Sequence, residues 1–155
     1  IKSINYQSNR GTSGIDGSMS TAVGSAMASP DKNHLFITGD ISFIYDSNAM
    51  WISPFPKNLK IIIIDNQGGG IFRIIDGSSS SNQLKTFFEA QHNTNTKKIA
   101  EGFGFSVIEE NNLNKFETTI NDFIQDMNHQ FLIFRTDTYE NPLALKRFFN
   151  FINNA

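Results

Sequence analysis

Leu59-Lys60-Ile61-Ile62-Ile63-Ile64 is a run of branched apolar residues that stops at Asp65-Asn66-Gln67 and a three-glycine turn, Gly68-Gly69-Gly70. A short apolar run of this kind, closed by polar and glycine residues, reads as a buried strand. His34-Leu35-Phe36-Ile37-Thr38 reads the same way and stops at Gly39-Asp40. Between Asp40 and Asn66 lie 25 residues, enough for a helix, a turn and a strand, which is one parallel crossover unit. If the two strands lie parallel and side by side, Asp40 and Asn66 meet at their carboxyl ends, where open α/β sheets bind ligands. Either residue alone would be read as a turn or capping residue. Together, a carboxylate oxygen, an amide oxygen and a backbone carbonyl of the glycine turn make three hard ligands. Mg²⁺ prefers such oxygens and completes its octahedron with phosphate and water. The pattern is that of a metal-diphosphate site.

The rest of the chain alternates in the same way. Ser3 to Gln7 is expected to form a short first strand, followed by a turn-rich loop to Gly14. Asp16 to Ala28 reads as a helix whose small residues, Ala22, Gly24, Ala26 and Ala28, would let it lie close to the sheet. A second helix is expected from about Ile41 to Ile52, ended by Pro54 and Pro56. Ile71 to Ile75 would begin a short helix, and Asp76-Gly77 with the four serines after it reads as a flexible connection. Lys97 to Gly102 reads as helix and Phe105 to Ile108 as strand. Phe116, Ile120, Phe123, Ile124 and Met127 recur at helical spacing. Phe131 to Phe134 reads as a strand, and Leu143 to Ile152 as a final helix. Strands alternating with helices predict an α/β fold: a three-layer domain with a mainly parallel sheet and helices on both faces. Most of the fifteen phenylalanines are expected in its core.

Bulk properties narrow the function. At 155 residues and 39% hydrophobic, the chain fits one soluble domain with one core. A net charge of −2 gives no broad electrostatic case for nucleic acid or an anionic membrane. No apolar run reaches the ~18–20 residues of a membrane-spanning helix. The absence of cysteine excludes disulfides, thiolate metal sites and a cysteine nucleophile, and fits a cytoplasmic protein. His34, His92 and His129 lack metal-ligand spacing; His34 and His129 read as surface or strand-edge residues, whereas His92 could line the site. The first residue is Ile1 and no signal-peptide pattern follows it, so residues 1–155 are expected to be a piece of a longer protein.

The Gly39-Asp40 and Asn66 spacing resembles the diphosphate-binding motif of thiamine diphosphate enzymes. In that family the Asp, the Asn and a carbonyl two residues after the Asn hold Mg²⁺; the matching positions are Asp40, Asn66 and Gly68. The family often has Gly where this chain has Ile41, and Asn where it has Asp65. Neither position supplies a metal-binding side chain. Three longer strings sharpen the resemblance: Asn9-Arg10-Gly11-Thr12-Ser13-Gly14-Ile15-Asp16-Gly17, Gly39-Asp40-Ile41-Ser42-Phe43-Ile44-Tyr45-Asp46-Ser47-Asn48-Ala49, and Asp65 through Phe72. With Phe87-Phe88-Glu89 through His92-Asn93, they closely resemble the 2-succinyl-5-enolpyruvyl-6-hydroxy-3-cyclohexene-1-carboxylate synthases, the MenD family of menaquinone biosynthesis. The resemblance covers only the C-terminal, diphosphate-binding domain of that enzyme.

The resemblance implies a thiamine diphosphate-binding fold and a Mg²⁺- (or Mn²⁺-) dependent transferase of the carboligase type. The reaction it implies decarboxylates 2-oxoglutarate and adds the succinyl group to isochorismate, releasing carbon dioxide. Arg10 would contact substrate carboxylate, for which a planar guanidinium is suited. Ile15 would lie under the bent cofactor, and Ile71, Phe72 and Ile75 would wall the reacting carbon; without the resemblance the three isoleucines and Phe72 would be read as core. Gly14, Ile15, Gly39, Asp40, Ile41, Ser42, Asn66, Gly68 and Gly69 would contact the cofactor. In this family an activating glutamate comes from a separate pyrimidine-binding domain, of the same or a partner subunit, within a homodimer or homotetramer. The piece alone is therefore expected to be inactive. Two other readings stay open. One is another thiamine diphosphate 2-oxo acid decarboxylase or carboligase, such as an acetolactate synthase relative, against which Arg10 and its string argue. The other is a non-catalytic diphosphate-binding or assembly module.

Overall fold

The computed structural model describes residues 4–9, 11 and 14–154. Its framework is a four-stranded sheet in the order β1-β2-β4-β3, formed by His34–Gly39 (β1), Leu59–Asp65 (β2), Val107–Glu110 (β3) and Phe131–Arg135 (β4). Every neighbouring pair is parallel. The expectation for β1 and β2 holds in detail: His34 pairs with Leu59 and the register runs to Gly39 opposite Ile64, so both strands end at the same edge.

The four isoleucines of β2 explain the layering. Successive side chains on a strand point to opposite faces. Ile61 and Ile63 enter one apolar cluster with Phe131 and Ile133 of β4; Ile62 enters a second with Leu132 and Phe134. The first cluster is covered by α1 (Ser18–Ala28), α2 (Asp40–Tyr45) and α3 (Thr96–Gly102), through Met19, Val23, Ala26, Phe43 and Ala100. The second is covered by α4 (Phe116–Gln125) through Phe123 and Ile120. A sheet buried on both faces needs continuous rather than alternating hydrophobicity, and β2 and β4 supply it. The predicted three-layer α/β architecture is observed. A last helix, α5 (Glu140–Asn153), follows β4. Among the described residues, no helix is long and apolar enough to cross a membrane.

Several local expectations are corrected. Residues 4–9 form no strand. The helix expected over Ile41 to Ile52 breaks at Asp46 into α2 and a 3₁₀ turn, Ser47–Trp51. In α1 the buried face is Met19, Val23 and Ala26, and a side chain at Gly24 would meet nothing, so closeness to the sheet does not depend on that glycine. Phe105 lies before β3 because its ring turns into the core, 4.8 Å from the rings of both Phe55 and Phe131. The serine run is a series of turns in which Ser78 Oγ donates to Phe72 O at 2.9 Å, so it is tied to the preceding loop. Met127 falls beyond α4 and is exposed.

The phenylalanines divide. Phe43, Phe123, Phe131 and Phe134 are fully buried, while Phe87, Phe88, Phe116, Phe148, Phe149 and Phe151 are exposed. A four-stranded sheet has two faces of limited area, and α5 lies mainly outside both clusters.

The C-terminal end of α1 is closed by one distant side chain. Asn58 Nδ2 donates toward Ala26 O, Ser29 O and Lys32 O at 3.0, 3.1 and 2.8 Å, binding the helix end to the turn that precedes β2. Helix ends leave carbonyls without intrahelical partners, so this amide fills a defined need. Replacing Asn58 with Ala is expected to lower the free energy of unfolding by about 1–2 kcal/mol, read from urea denaturation. Asn58→Asp, which turns the donor into an acceptor facing carbonyls, is expected to cost more than Ala.

Candidate functional site

The parallel register of β1 and β2 places the start of α2 beside the loop that leaves β2. Asp40, the first residue of α2, is buried, and its two oxygens are held by backbone donors: Ile41 N–H to Oδ1 at 2.8 Å and Gly68 N–H to Oδ2 at 2.9 Å. The second bond joins positions 28 residues apart in the chain. Gln67 makes it possible. Its φ of 61° lies in the left-handed region, uncommon for a residue with a side chain, and the reversal presents the next N–H to Asp40. Burial raises the Asp40 pKa above the ordinary carboxylate value. The Ile41 N–H opposes this, the charge of Asp65 adds to it, and His92 and the Gly68 N–H again oppose it. A cation placed at this carboxylate would reverse the burial effect.

Asp65 does a different job. It is buried and accepts Thr96 Oγ1–H at 2.6 Å and Gln67 N–H at 3.1 Å, and it pairs with the Arg135 guanidinium. Arg135 also bonds Glu109 Oε1 at 2.7 Å. The end of β2 is thereby tied to the end of β4, to β3 and to the start of α3, which leaves Asp65 without a ligand role.

The glycine turn is packed tightly. A Cβ at Gly68 would stand 3.0 Å from Glu89 O, and one at Gly69 would stand 3.1 Å from the Phe72 ring. At Gly70 it would stand 2.4 Å from Asn66 Nδ2, so the Asn66 amide lies directly against the Gly70 α-carbon. Gly68 O already accepts Gly70 N–H at 3.0 Å; a carbonyl has a second lone pair for another partner. Gly39 is different: a side chain there would meet nothing, so the space beyond β1 is open.

A second segment, 89–92, closes over the turn. Glu89 O accepts Gly69 N–H at 2.6 Å, and Gln67 O accepts His92 N–H at 3.3 Å. The Glu89 side chain is buried and paired with Arg73, whose Nη2 lies 2.8 Å from Oε2; the Arg73 guanidinium stacks on the Tyr139 ring at 4.3 Å. His92 Nε2 lies 3.3 Å from Asp40 Oδ2.

The loop before α1 is bound to α2 by hydroxyls. Ser42 Oγ donates to Ile15 O at 2.8 Å and lies 2.7 Å from Ser18 Oγ. Ser13 and Asp16 are candidate caps for α1 by sequence. The structure instead caps it from α2: Asp46 accepts Ser20 N–H and Ser20 Oγ–H at 2.6 and 2.7 Å. Ser13 lies outside the described residues, and so do Arg10 and Thr12.

Thus Asp40, Asn66, Gly68 and Gly69 are gathered at one end of the sheet, with Gly39, Ile41 and Ser42 beside them on the β1 side. Ile15, which follows Gly14, joins them through Ser42. Ile15, Ile71 and Ile75 are exposed at 40%, 55% and 48%, which rules out the core reading of these three. Phe72 is half-buried, its ring 5.7 Å from that of Phe88. Among the described residues no three His, Asp, Glu or Cys side chains cluster as a metal site. Any cation here would be held by the mixed set of one carboxylate, one amide and one carbonyl, a hard-oxygen set.

Residues 2–134 match the family described as thiamine pyrophosphate enzyme, C-terminal TPP binding domain. The chain belongs to that family. Its curated relatives include 2-succinyl-5-enolpyruvyl-6-hydroxy-3-cyclohexene-1-carboxylate synthases. That of Flavobacterium johnsoniae is 45% identical over 149 residues, covering 95% of this chain and 26% of the relative. That of Christiangramia forsetii is 40% identical over 154 residues, covering 99% and 26%. The chain therefore spans about a quarter of the length of these relatives. Among solved structures, the Rhodococcus jostii RHA1 thiamine diphosphate-dependent 4-hydroxybenzoylformate decarboxylase superposes with a TM-score of 0.58. It is 25% identical, over 75% of this chain and 21% of that one. Membership in a thiamine diphosphate-binding family agrees with the resemblance carried by the Gly39-Asp40 and Asn66 strings.

Sequence reasoning did not assign Asp46, Arg73, Glu89 or Gly70. The first three act through partners 16 to 26 residues away, which no local pattern reveals. Gly70 was visible as part of the glycine turn, but its need to be glycine follows from Asn66. Gly70→Ala is expected to push the Asn66 amide off its position and to weaken metal-dependent binding of thiamine diphosphate about tenfold. Calorimetric titration of the full-length protein with cofactor in Mg²⁺ measures this directly.

Proposed function

We propose that this chain is the diphosphate-binding domain of a 2-succinyl-5-enolpyruvyl-6-hydroxy-3-cyclohexene-1-carboxylate synthase. The whole enzyme decarboxylates 2-oxoglutarate and adds the succinyl group to isochorismate, with release of carbon dioxide, as a carboligase-type transferase. The observation that carries the reading is the closure of Asp40 onto Gly68 across parallel strands, in a chain 45% and 40% identical to two relatives of that name. Asp40, Asn66 and the Gly68 carbonyl would hold Mg²⁺ or Mn²⁺. The fit rests on the chemistry of these oxygens and on the tight glycine turn that holds them together.

Each part of the chain has a task in this reading. Bound thiamine diphosphate supplies the electron sink that 2-oxo acid decarboxylation requires. Asp40 and Asn66 anchor its diphosphate through the cation, and Ile15, whose carbonyl is held by Ser42, lies under the bent cofactor. Ile71, Phe72 and Ile75 form an apolar wall that keeps water from the reacting carbon. Arg10 binds a substrate carboxylate by paired hydrogen bonds. The exposure of Ile15, Ile71 and Ile75 supports a site completed by other surfaces, which would cover these apolar side chains. The activating glutamate would come from a pyrimidine-binding domain of the same or a partner subunit, in a cytoplasmic homodimer or homotetramer.

Full-length protein supplied with thiamine diphosphate, Mg²⁺, 2-oxoglutarate and isochorismate is expected to consume isochorismate only when both the oxo acid and the cofactor are present. Decarboxylation without loss of isochorismate would move the protein to another branch of the family. Asp40→Ala is expected to weaken Mg²⁺-dependent cofactor binding on the order of 100-fold, more than loss of an outer-shell partner. Unchanged affinity would refute the ligand assignment. The 155-residue chain alone is expected to show no turnover in the same assay.

A further inference from the structure

We infer that His92 is a positioning residue for Asp40 and that it selects Oδ1 as the oxygen left for a cation. The inference rests on the proposed metal role of Asp40. The ring is oriented at both ends. Its backbone N–H is held by Gln67 O, and its Nδ1 accepts the Thr94 backbone N–H at 3.2 Å. With Nδ1 an acceptor, the proton of the neutral ring sits on Nε2. That nitrogen is shielded from solvent, has no hydrogen-bond partner, and faces Asp40 Oδ2 at 3.3 Å. The N–H is close enough to bond this oxygen but not aligned with it, and a slight turn of the carboxylate would satisfy both groups.

Counting acceptor positions on Asp40 shows the effect. A carboxylate offers about four lone-pair sites, two on each oxygen. Gly68 N–H and the His92 Nε2–H would occupy both on Oδ2, whereas Ile41 N–H takes only one on Oδ1. Oδ1 keeps the free lone pair. His92 comes from a segment that also holds Gln67 and, through Glu89, Gly69, so the residues that shape the glycine turn and orient the carboxylate form one connected unit. Loss of a hydrogen bond to a ligating carboxylate typically costs about 10- to 100-fold in metal affinity.

The test uses full-length protein with thiamine diphosphate and Mn²⁺, reading bound Mn²⁺ by its electron paramagnetic resonance signal, without reference to turnover. His92→Ala is expected to weaken Mn²⁺ binding about tenfold while leaving the metal-free melting temperature unchanged. His92→Gln, whose amide Nε2–H can reach the same oxygen, is expected to recover most of the loss. If His92→Ala binds Mn²⁺ like the wild type while Asp40→Ala loses it, the role of His92 is overturned and the metal site stands. Should Asp40→Ala also retain Mn²⁺, the metal reading itself fails. If His92→Gln remains as weak as Ala and both melt at lower temperature, the imidazole is only a packing element and the inference is overturned.

Discussion

The hydrogen bond from Gly68 N–H to Asp40 Oδ2 is the constraint on which the site depends. It can form only if β1 and β2 run parallel, end level and stay in register, because a one-residue slip would turn the side chains of a strand to the opposite face. The pairing of Gly39 with Ile64 secures that level ending. A buried carboxylate without donors would be costly, and here two backbone N–H groups meet it without any side-chain freedom to lose. The same bond holds the glycine turn against the sheet, and the turn in turn receives Glu89 and His92 from the segment above it.

Around this bond the buried carboxylates differ in their partners. Asp40 faces the open end of the sheet, whereas Asp65, one strand away, is consumed by Thr96, Gln67 and Arg135. Two acidic residues at adjacent strand ends would repel if both faced one cavity. Pairing Asp65 with an arginine removes part of that conflict. Glu89 and Arg73 repeat the arrangement on the outer side of the turn, with Tyr139 stacked on the guanidinium.

Much of this was legible in the residues. Ile61 to Ile64 and Phe131 to Phe134 are continuously apolar because each strand is covered on both faces, and that pattern points to a parallel sheet with layers on either side. Gly39-Asp40 and Asp65-Asn66 mark strand ends through an abrupt change of chemistry. The misreadings share a cause: periodicity reports that a residue is apolar, and burial depends on whether another element is there to cover it. Met127 keeps helical spacing with Phe123, yet α4 ends at Gln125. Phe148 and Phe149 have the composition of core residues but sit on a helix outside both clusters. Asp46 could not be found locally, and His92 could be read only as a residue that lines the site, since the group each acts on is brought near only by the finished fold.

The stitching of α1 to α2 has a mechanical consequence. Ser20 is anchored twice to Asp46, and Ser18 and Ile15 are anchored to Ser42. Ser42 lies in the helix that begins at Asp40, and Asp46 is the residue that ends it. The loop before α1 and the carboxylate at the head of α2 thus share few independent degrees of freedom. A displacement imposed on Ile15 is delivered to Asp40 through hydroxyl and carboxylate links rather than absorbed by the intervening chain, so the two ends of a molecule lying between them would be registered as one rigid gauge.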